Sequence, residues 1–121
     1  MDRLQLGRIG EQAAVAHLEA RGYRILARNF RCALGEIDLI AAQGDVTVFV
    51  EVKSRSTDEF GPPFEAITRL KQRRLTRLAT FYLKGKSRVD RPARFDAVSV
   101  TIRPDGYVEG VELLVDAFEA G

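Results

Sequence analysis

Residues 35–55 read GEIDLIAAQGDVTVFVEVKSR, two runs rich in β-branched and apolar residues divided by Gln43-Gly44. No other stretch restricts the fold as tightly, because a glycine turn between two such runs is the sequence form of a β-hairpin. Side chains on a strand alternate between faces. Val46, Val48, Val50 and Val52 therefore form one apolar face of the second strand, and Thr47, Phe49, Glu51 and Lys53 the other. On the first strand the same rule sets Glu36, Asp38 and Ile40 against Ile37 and Leu39. A two-residue turn at Gln43-Gly44 puts Glu36 opposite Glu51, and Asp38 opposite Phe49 and diagonal to Glu51. A three-residue loop without a bulge flips the parity and disperses the acids.

With the tighter turn, three carboxylates and Lys53 converge on one patch. Like charges at cross-strand distance repel, and folding alone does not ask for them there. A divalent cation resolves the conflict, since Mg²⁺ is held by one or two carboxylates, waters and substrate phosphate oxygens. Lys53, two residues beyond Glu51, is placed to orient or deprotonate a water, with its pKa lowered if it is shielded from solvent. The plain alternative is a solvated strand face on which Glu51 and Lys53 form a weak ion pair.

Upstream, Ala14, Val15 and Leu18 form a helical stripe within residues 4–21, with Gly22 where a C-terminal cap is expected. Glu11 falls on the same stripe, so it either reaches the acidic patch or sits as an acid in the first turn of a frayed end. Gly7 and Gly10 are costly inside a helix, so either something packs closely there or the helix starts after them. Residues 23–28 suit an edge strand. The loop SRSTDEFGPPF leads to a second helix with Pro63 in its first turn, Glu65 near its N-terminus, and a stripe of Ile67, Leu70, Leu75, Leu78, Ala79 and Tyr82 ending near Gly85. RFDAVSVTI reads as a strand, Pro104-Asp105-Gly106 as a turn, and VEGVELLVDAF as a last strand with a short helical end. The order αβββαββ predicts a mixed β-sheet flanked by helices, in the α/β class. With 121 residues, no repeat and no linker, one domain over 1–121 is expected.

Charge is distributed unevenly. Between Arg69 and Arg94 ten basic residues face one acid, Asp90, so this segment carries +9 of a total of +2 and the remainder carries −7. Arg69, Arg73 and Arg77 recur every four residues as a stripe suited to tracking phosphates, with Lys71 and Arg74 nearer the apolar edge, where their heads and the Gln72 amide reach toward the sheet. The alternative is a solvated helix face, weakened by the absence of any acid after Glu65 to pair with the arginines. Other chemistries are excluded more firmly. A single cysteine, Cys32, and a single histidine, His17, cannot build a disulfide, a thiolate zinc site or a His-pair site. No GxxxxGK or GxGxxG motif is present. No apolar run approaches the ~18 residues that span a bilayer, and the N-terminus has no signal-peptide core, so no membrane association and a cytoplasmic location are expected.

GRIGEQAA, GYRILARNFR, GEIDLIA, VFVEVKSR, the KQRRL helix with FYL, and RFDAVSV together resemble the YraN-like family of small bacterial proteins, over nearly the whole chain. That family in turn resembles the restriction-endonuclease-like superfamily, which includes archaeal-type Holliday junction resolvases and whose signature is an acid on one strand and Glu/Asp-x-Lys on the next. The resemblance implies a restriction-endonuclease-like core, with Asp38 and Glu51 as ligands of Mg²⁺ or Mn²⁺, the Val52 carbonyl as a further ligand, Lys53 as the catalytic lysine, and Glu11 as the acid such nucleases carry on their first helix. Lys71 and Gln72 fall where the superfamily places an auxiliary polar residue. Ile37 stands where the signature often has proline. The expected function is a metal-dependent nuclease acting on nucleic acid, DNA first, and selective for branches, flaps or ends. A homodimer would be needed for paired cuts. The alternatives are a nucleic-acid-binding protein without catalysis and an interaction domain that docks an acidic protein.

Overall fold

Helix α1 (Arg3–Ala20) opens the computed structural model, which describes residues 1–59, 61, 64 and 67–119. Its start is set by a capping box: the Gln5 N–H donates to Asp2 Oδ1 at 2.8 Å, and the Asp2 N–H donates to Gln5 Oε1 at 3.0 Å. Gly7 and Gly10 therefore lie inside the helix. Close packing accounts for Gly10, where a Cβ would stand 1.7 Å from Ser54 Oγ, but not for Gly7, where it would meet nothing within 4 Å. The absence of a side chain at Gly10 lets α1 sit directly on the third strand, just beyond Lys53.

The strands are β1 (Arg24–Cys32), β2 (Gly35–Gln43), β3 (Val46–Ser56), β4 (Ala93–Ile102) and β5 (Val108–Phe118), with helix α2 (Arg69–Gly85) between β3 and β4. They form one mixed sheet in the order β1-β2-β3-β4-β5, antiparallel except for β3 and β4, which run parallel because α2 carries the chain back across the sheet. The order αβββαββ and the edge position of β1 agree with the sequence reading. The helical end expected after the last strand does not form; β5 stays extended to Phe118. Pro63 and Glu65 lie outside the described residues. Helix α2 begins at Arg69 with Thr68 as its N-cap, so Ile67 precedes it, and the Ile67 carbonyl accepts from the Gln72 amide at 2.8 Å.

Each face of the sheet carries one helix. Ala14 and Leu18 of α1 pack on Leu39, Val48, Val50, Val98 and Val100, while Leu75, Leu78, Ala79 and Tyr82 of α2 pack on Ile37, Ile40, Phe49 and Phe95. The valine alternation of β3 holds throughout. Burial of side chains such as Leu18 and Phe49, which are 0% and 2% exposed, is worth roughly 1.5–3 kcal/mol each.

Two features of the hairpin differ from expectation. Gln43 pairs with Val46, so Gly44 and Asp45 make the turn, one residue later than predicted, with Gly44 in the left-handed region at φ 59°. Parity is kept because two positions moved together. In addition, Ile37 and Ile40 share the α2 face, which strict alternation forbids. The β1–β2 register shifts between Ile25 and Ala27, and further along Leu39 packs with the α1 core while Ile37 packs with the α2 core, beside Asn29 of β1, which takes φ 52°, a conformation that asparagine tolerates better than most side chains. Asp38 lies at this kink.

Candidate functional site

The β2–β3 ladder ends at Leu39↔Val50. Continued by one step, the shifted register brings Asp38 in line with Glu51. There the Asp38 side chain replaces the missing backbone partner: the Val52 N–H donates to Asp38 Oδ2 at 2.8 Å. The amide and carbonyl of one strand residue point to the same neighbouring strand, so the Val52 carbonyl is on the Asp38 side. Burial, and after it the Glu51 charge, push the Asp38 carboxyl up to about 6; Glu36 adds to the shift, while the Val52 N–H and Lys71 oppose it.

Glu36 was expected opposite Glu51. The later turn instead leaves it across from Arg31 of β1, to which it is ion-paired at 3.2 Å. Among the described residues no three His, Cys, Asp or Glu side chains gather as a metal cage, so the expected three-acid patch reduces to Asp38 and Glu51. Lys71 Nζ lies 2.9 Å from Glu51 Oε2, a link that only the docking of α2 on the sheet creates. Lys53 is exposed and lines a groove of about 820 Å³ with Glu51, Val52 and Lys71, so the shielding considered for it from sequence is absent in the free protein.

Glu11 belongs to the third turn of α1, not the first, because the helix begins at Arg3. It is held by β1: Arg28 Nε donates to its Oε1 at 3.0 Å and Asn29 Nδ2 at 3.1 Å. It nevertheless lines one cleft with Glu36 and Asp38. That cleft and the Lys53 groove share Arg3, Val52 and Ser54. Sequence reasoning passed over Arg28 and Asn29; the one local hint was an asparagine interrupting a strand.

The basic helix divides. Arg69, Arg73 and Arg77 are exposed on the face opposite Leu75, Leu78 and Tyr82, and so point away from the sheet. Lys71 is on the sheet side and reaches Glu51, while Gln72 is occupied at the start of the helix. His17 is half-buried beside Arg21, whose Nη1 is 3.3 Å from its Nδ1, and its pKa is lowered by burial and then by Arg21.

The state of Asp38 predicts a stability signature that needs no substrate. Its folded pKa of about 6 exceeds the ordinary value of 3.8, so the folded state holds this proton more tightly than the unfolded state. Stability linked to the group is therefore full below pH 3.8 and is lost as pH rises to about 6, by roughly 2–3 kcal/mol. Asp38→Asn keeps an oxygen for the Val52 N–H and has no charge to desolvate. In urea unfolding the variant should match wild type near pH 4 and exceed it by up to about 2 kcal/mol above pH 6. A difference that does not change between those pH values would refute the half-buried, repelled carboxylate.

Comparison with known proteins matches residues 10–100 to a family described as "Uncharacterised protein family UPF0102". The chain is 50% identical over 116 residues to a UPF0102 protein of Syntrophus aciditrophicus (96% of this chain, 90% of the relative). It is 49% identical over 118 residues to one of Moorella thermoacetica (98% of each chain). It is 52% identical over 116 residues to UPF0102 protein STH1475 of Symbiobacterium thermophilum (96% of this chain, 98% of the relative).

Proposed function

This chain belongs to the uncharacterised protein family UPF0102, the YraN family, and from the arrangement of its own acids and lysines we propose that it is a metal-dependent nuclease. It hydrolyses phosphodiester bonds of nucleic acid, DNA in the first instance, and selects branches, flaps or ends by shape rather than by base sequence. The observation that carries the reading is the half-buried Asp38 carboxylate in line with Glu51 at the open end of the β2–β3 ladder, with Lys53 two residues further along β3. These are the strand positions through which the chain resembles restriction-endonuclease-like nucleases.

The residues fit a hard divalent ion. Asp38 and Glu51, with the Val52 carbonyl on the same side, are the oxygen donors that Mg²⁺ or Mn²⁺ takes, and water and substrate phosphate fill the remaining positions. The upward shift of Asp38 caused by burial and by Glu51 is the mark of a carboxylate lacking enough positive charge nearby. When bound, the ion polarises the scissile phosphate as a Lewis acid. Lys53 orients the attacking water and faces the charge that develops on the phosphate. Lys71, in the same groove, adds a second cation, and Arg69, Arg73 and Arg77 on the outer face of α2 attract flanking phosphates at longer range. One observation favours the second reading, a nucleic-acid-binding protein without catalysis: the Lys71 ammonium already neutralises Glu51 at 2.9 Å.

Mn²⁺ at millimolar concentration should bind, detected by calorimetry, and raise the thermal midpoint, and Asp38→Asn should lose both effects. No heat of binding and no shift, with or without DNA, would remove the nuclease reading.

A further inference from the structure

Helix α1 buries Leu18, Ala14 and Gly10 against the sheet, and the same stripe continues toward its N-terminus through Glu11 and Gly7 to Arg3 at helical spacing. Beside Leu6 and Ile9, which keep this half of the helix packed on the core, the polar strip lies across from Asp38. The space between is a cleft of about 370 Å³ lined by Arg3, Gly7, Arg8 and Glu11 on one side and by Arg31 and Asp38 on the other. Its charges are not all committed. Glu11 is paired with Arg28, and Glu36 with Arg31, whereas among the described residues Arg3 and Arg8 have no acidic partner. Gly7 weakens a helix interior with no packing to require it, and its missing side chain leaves the cleft wall open to another backbone. Arg3 also lines the Glu51–Lys53 groove, so one cation stands where the two depressions meet. The arginine stripe of α2 faces the other way.

We propose that this cleft is the track of the nucleic-acid strand, with Arg3 and Arg8 holding the phosphates next to Asp38. The assignment rests on the nuclease reading and names where its substrate lies. A polyanion approaching two carboxylates needs uncommitted positive charge close by, and these two arginines supply it on the side of the acids that α2 does not cover.

The test is anisotropy binding of labelled single-stranded, duplex and four-way-junction DNA in Ca²⁺, across a salt series. The Arg3→Ala/Arg8→Ala double variant should lower the slope of log K against log salt by about two units and bind about tenfold more weakly at moderate salt. Gly7→Leu should bind more weakly while its thermal midpoint stays level or rises, a split that a merely structural glycine does not produce. Wild-type slope and affinity in the double variant, with binding lost in Arg69→Ala/Arg73→Ala/Arg77→Ala, would overturn the cleft and leave the nuclease reading standing. Absence of wild-type binding to every probe overturns both. Displacement of DNA by polyglutamate at equal charge concentration would reassign the cleft to an acidic protein segment.

Discussion

Lys53→Ala is expected to lower divalent-dependent strand cleavage by about 10²-fold or more while leaving nucleic-acid binding near wild type. The split follows from position. Lys53 stands beside Glu51 on the groove wall of β3, so its proposed role is in the chemical step, while the proposed long-range attraction for phosphates is assigned to arginines on both helices. Glu51→Gln should show the same loss of cleavage with binding unchanged or tighter, because a negative charge beside the phosphates is removed and Lys71 is released from its 2.9 Å ion pair. The measurement compares wild type and both variants with Mn²⁺ on branched, flapped, single-stranded and duplex substrates. Binding of these substrates without cleavage of any by wild type would favour the non-catalytic reading. Cleavage at the wild-type rate in both variants would place the activity outside this site.

A second large effect is expected away from the candidate site. Asp96 of β4 is 2% exposed, and its carboxylate accepts from the Tyr23 hydroxyl at 2.7 Å, from Arg94 Nε at 3.0 Å and from the Asp116 N–H at 2.9 Å. Arg94 also donates to Tyr23 and to Gln43. Burial, and then the carboxylate it donates to, push the Tyr23 hydroxyl pKa up, while the hydrogen bond to Asp96 raises that of Arg94. Asp116 lies at φ 58° where the β4–β5 register shifts between Phe95 and Ala97, and the carboxylate takes the N–H that this irregularity leaves over. Asp96→Ala strands a partly buried guanidinium and an amide together, which should cost about 3–5 kcal/mol. Against a total stability of roughly 5–15 kcal/mol, the loss should be plain in urea unfolding, with Asp96→Asn intermediate. A loss under about 1 kcal/mol would mean that the network is not a clamp. Asp96 neighbours Val50 in the β3–β4 register, one residue before Glu51, so this network also steadies the strand that carries the candidate lysine.

Strand alternation and helical spacing are imposed by backbone geometry, which is local. For that reason the shared face of Glu51 and Lys53, the valine face of β3, the edge position of β1 and the order of elements could be read from the chain. The hairpin parity survived a turn that came one residue late, because moving the turn by one residue changes which residues face each other by two and keeps faces together. Which acid meets Glu51 was a different matter. The later turn gave that place to Asp38 and left Glu36 to Arg31, and the kink at Asn29 and Asp38 put Ile37 beside Ile40.

Charge partnerships between elements had no signature in the sequence. Glu11 and Arg28 are 17 residues apart, Tyr23 and Asp96 are 73 apart, and Lys71 meets Glu51 only because α2 crosses back over the sheet. The same docking turned Arg69, Arg73 and Arg77 outward, and the close seat of Gly10 on Ser54 brought Arg3 and Arg8 into one cleft with Asp38. The sequence alone determined which residues share a face along β3 and along the two helices, because backbone periodicity acts within a few residues, whereas on β2 the irregularity at Asp38 overrode it. Only the tertiary structure decided which charges are neutralised, because Coulomb energy depends on distances of a few ångströms set by packing between distant segments.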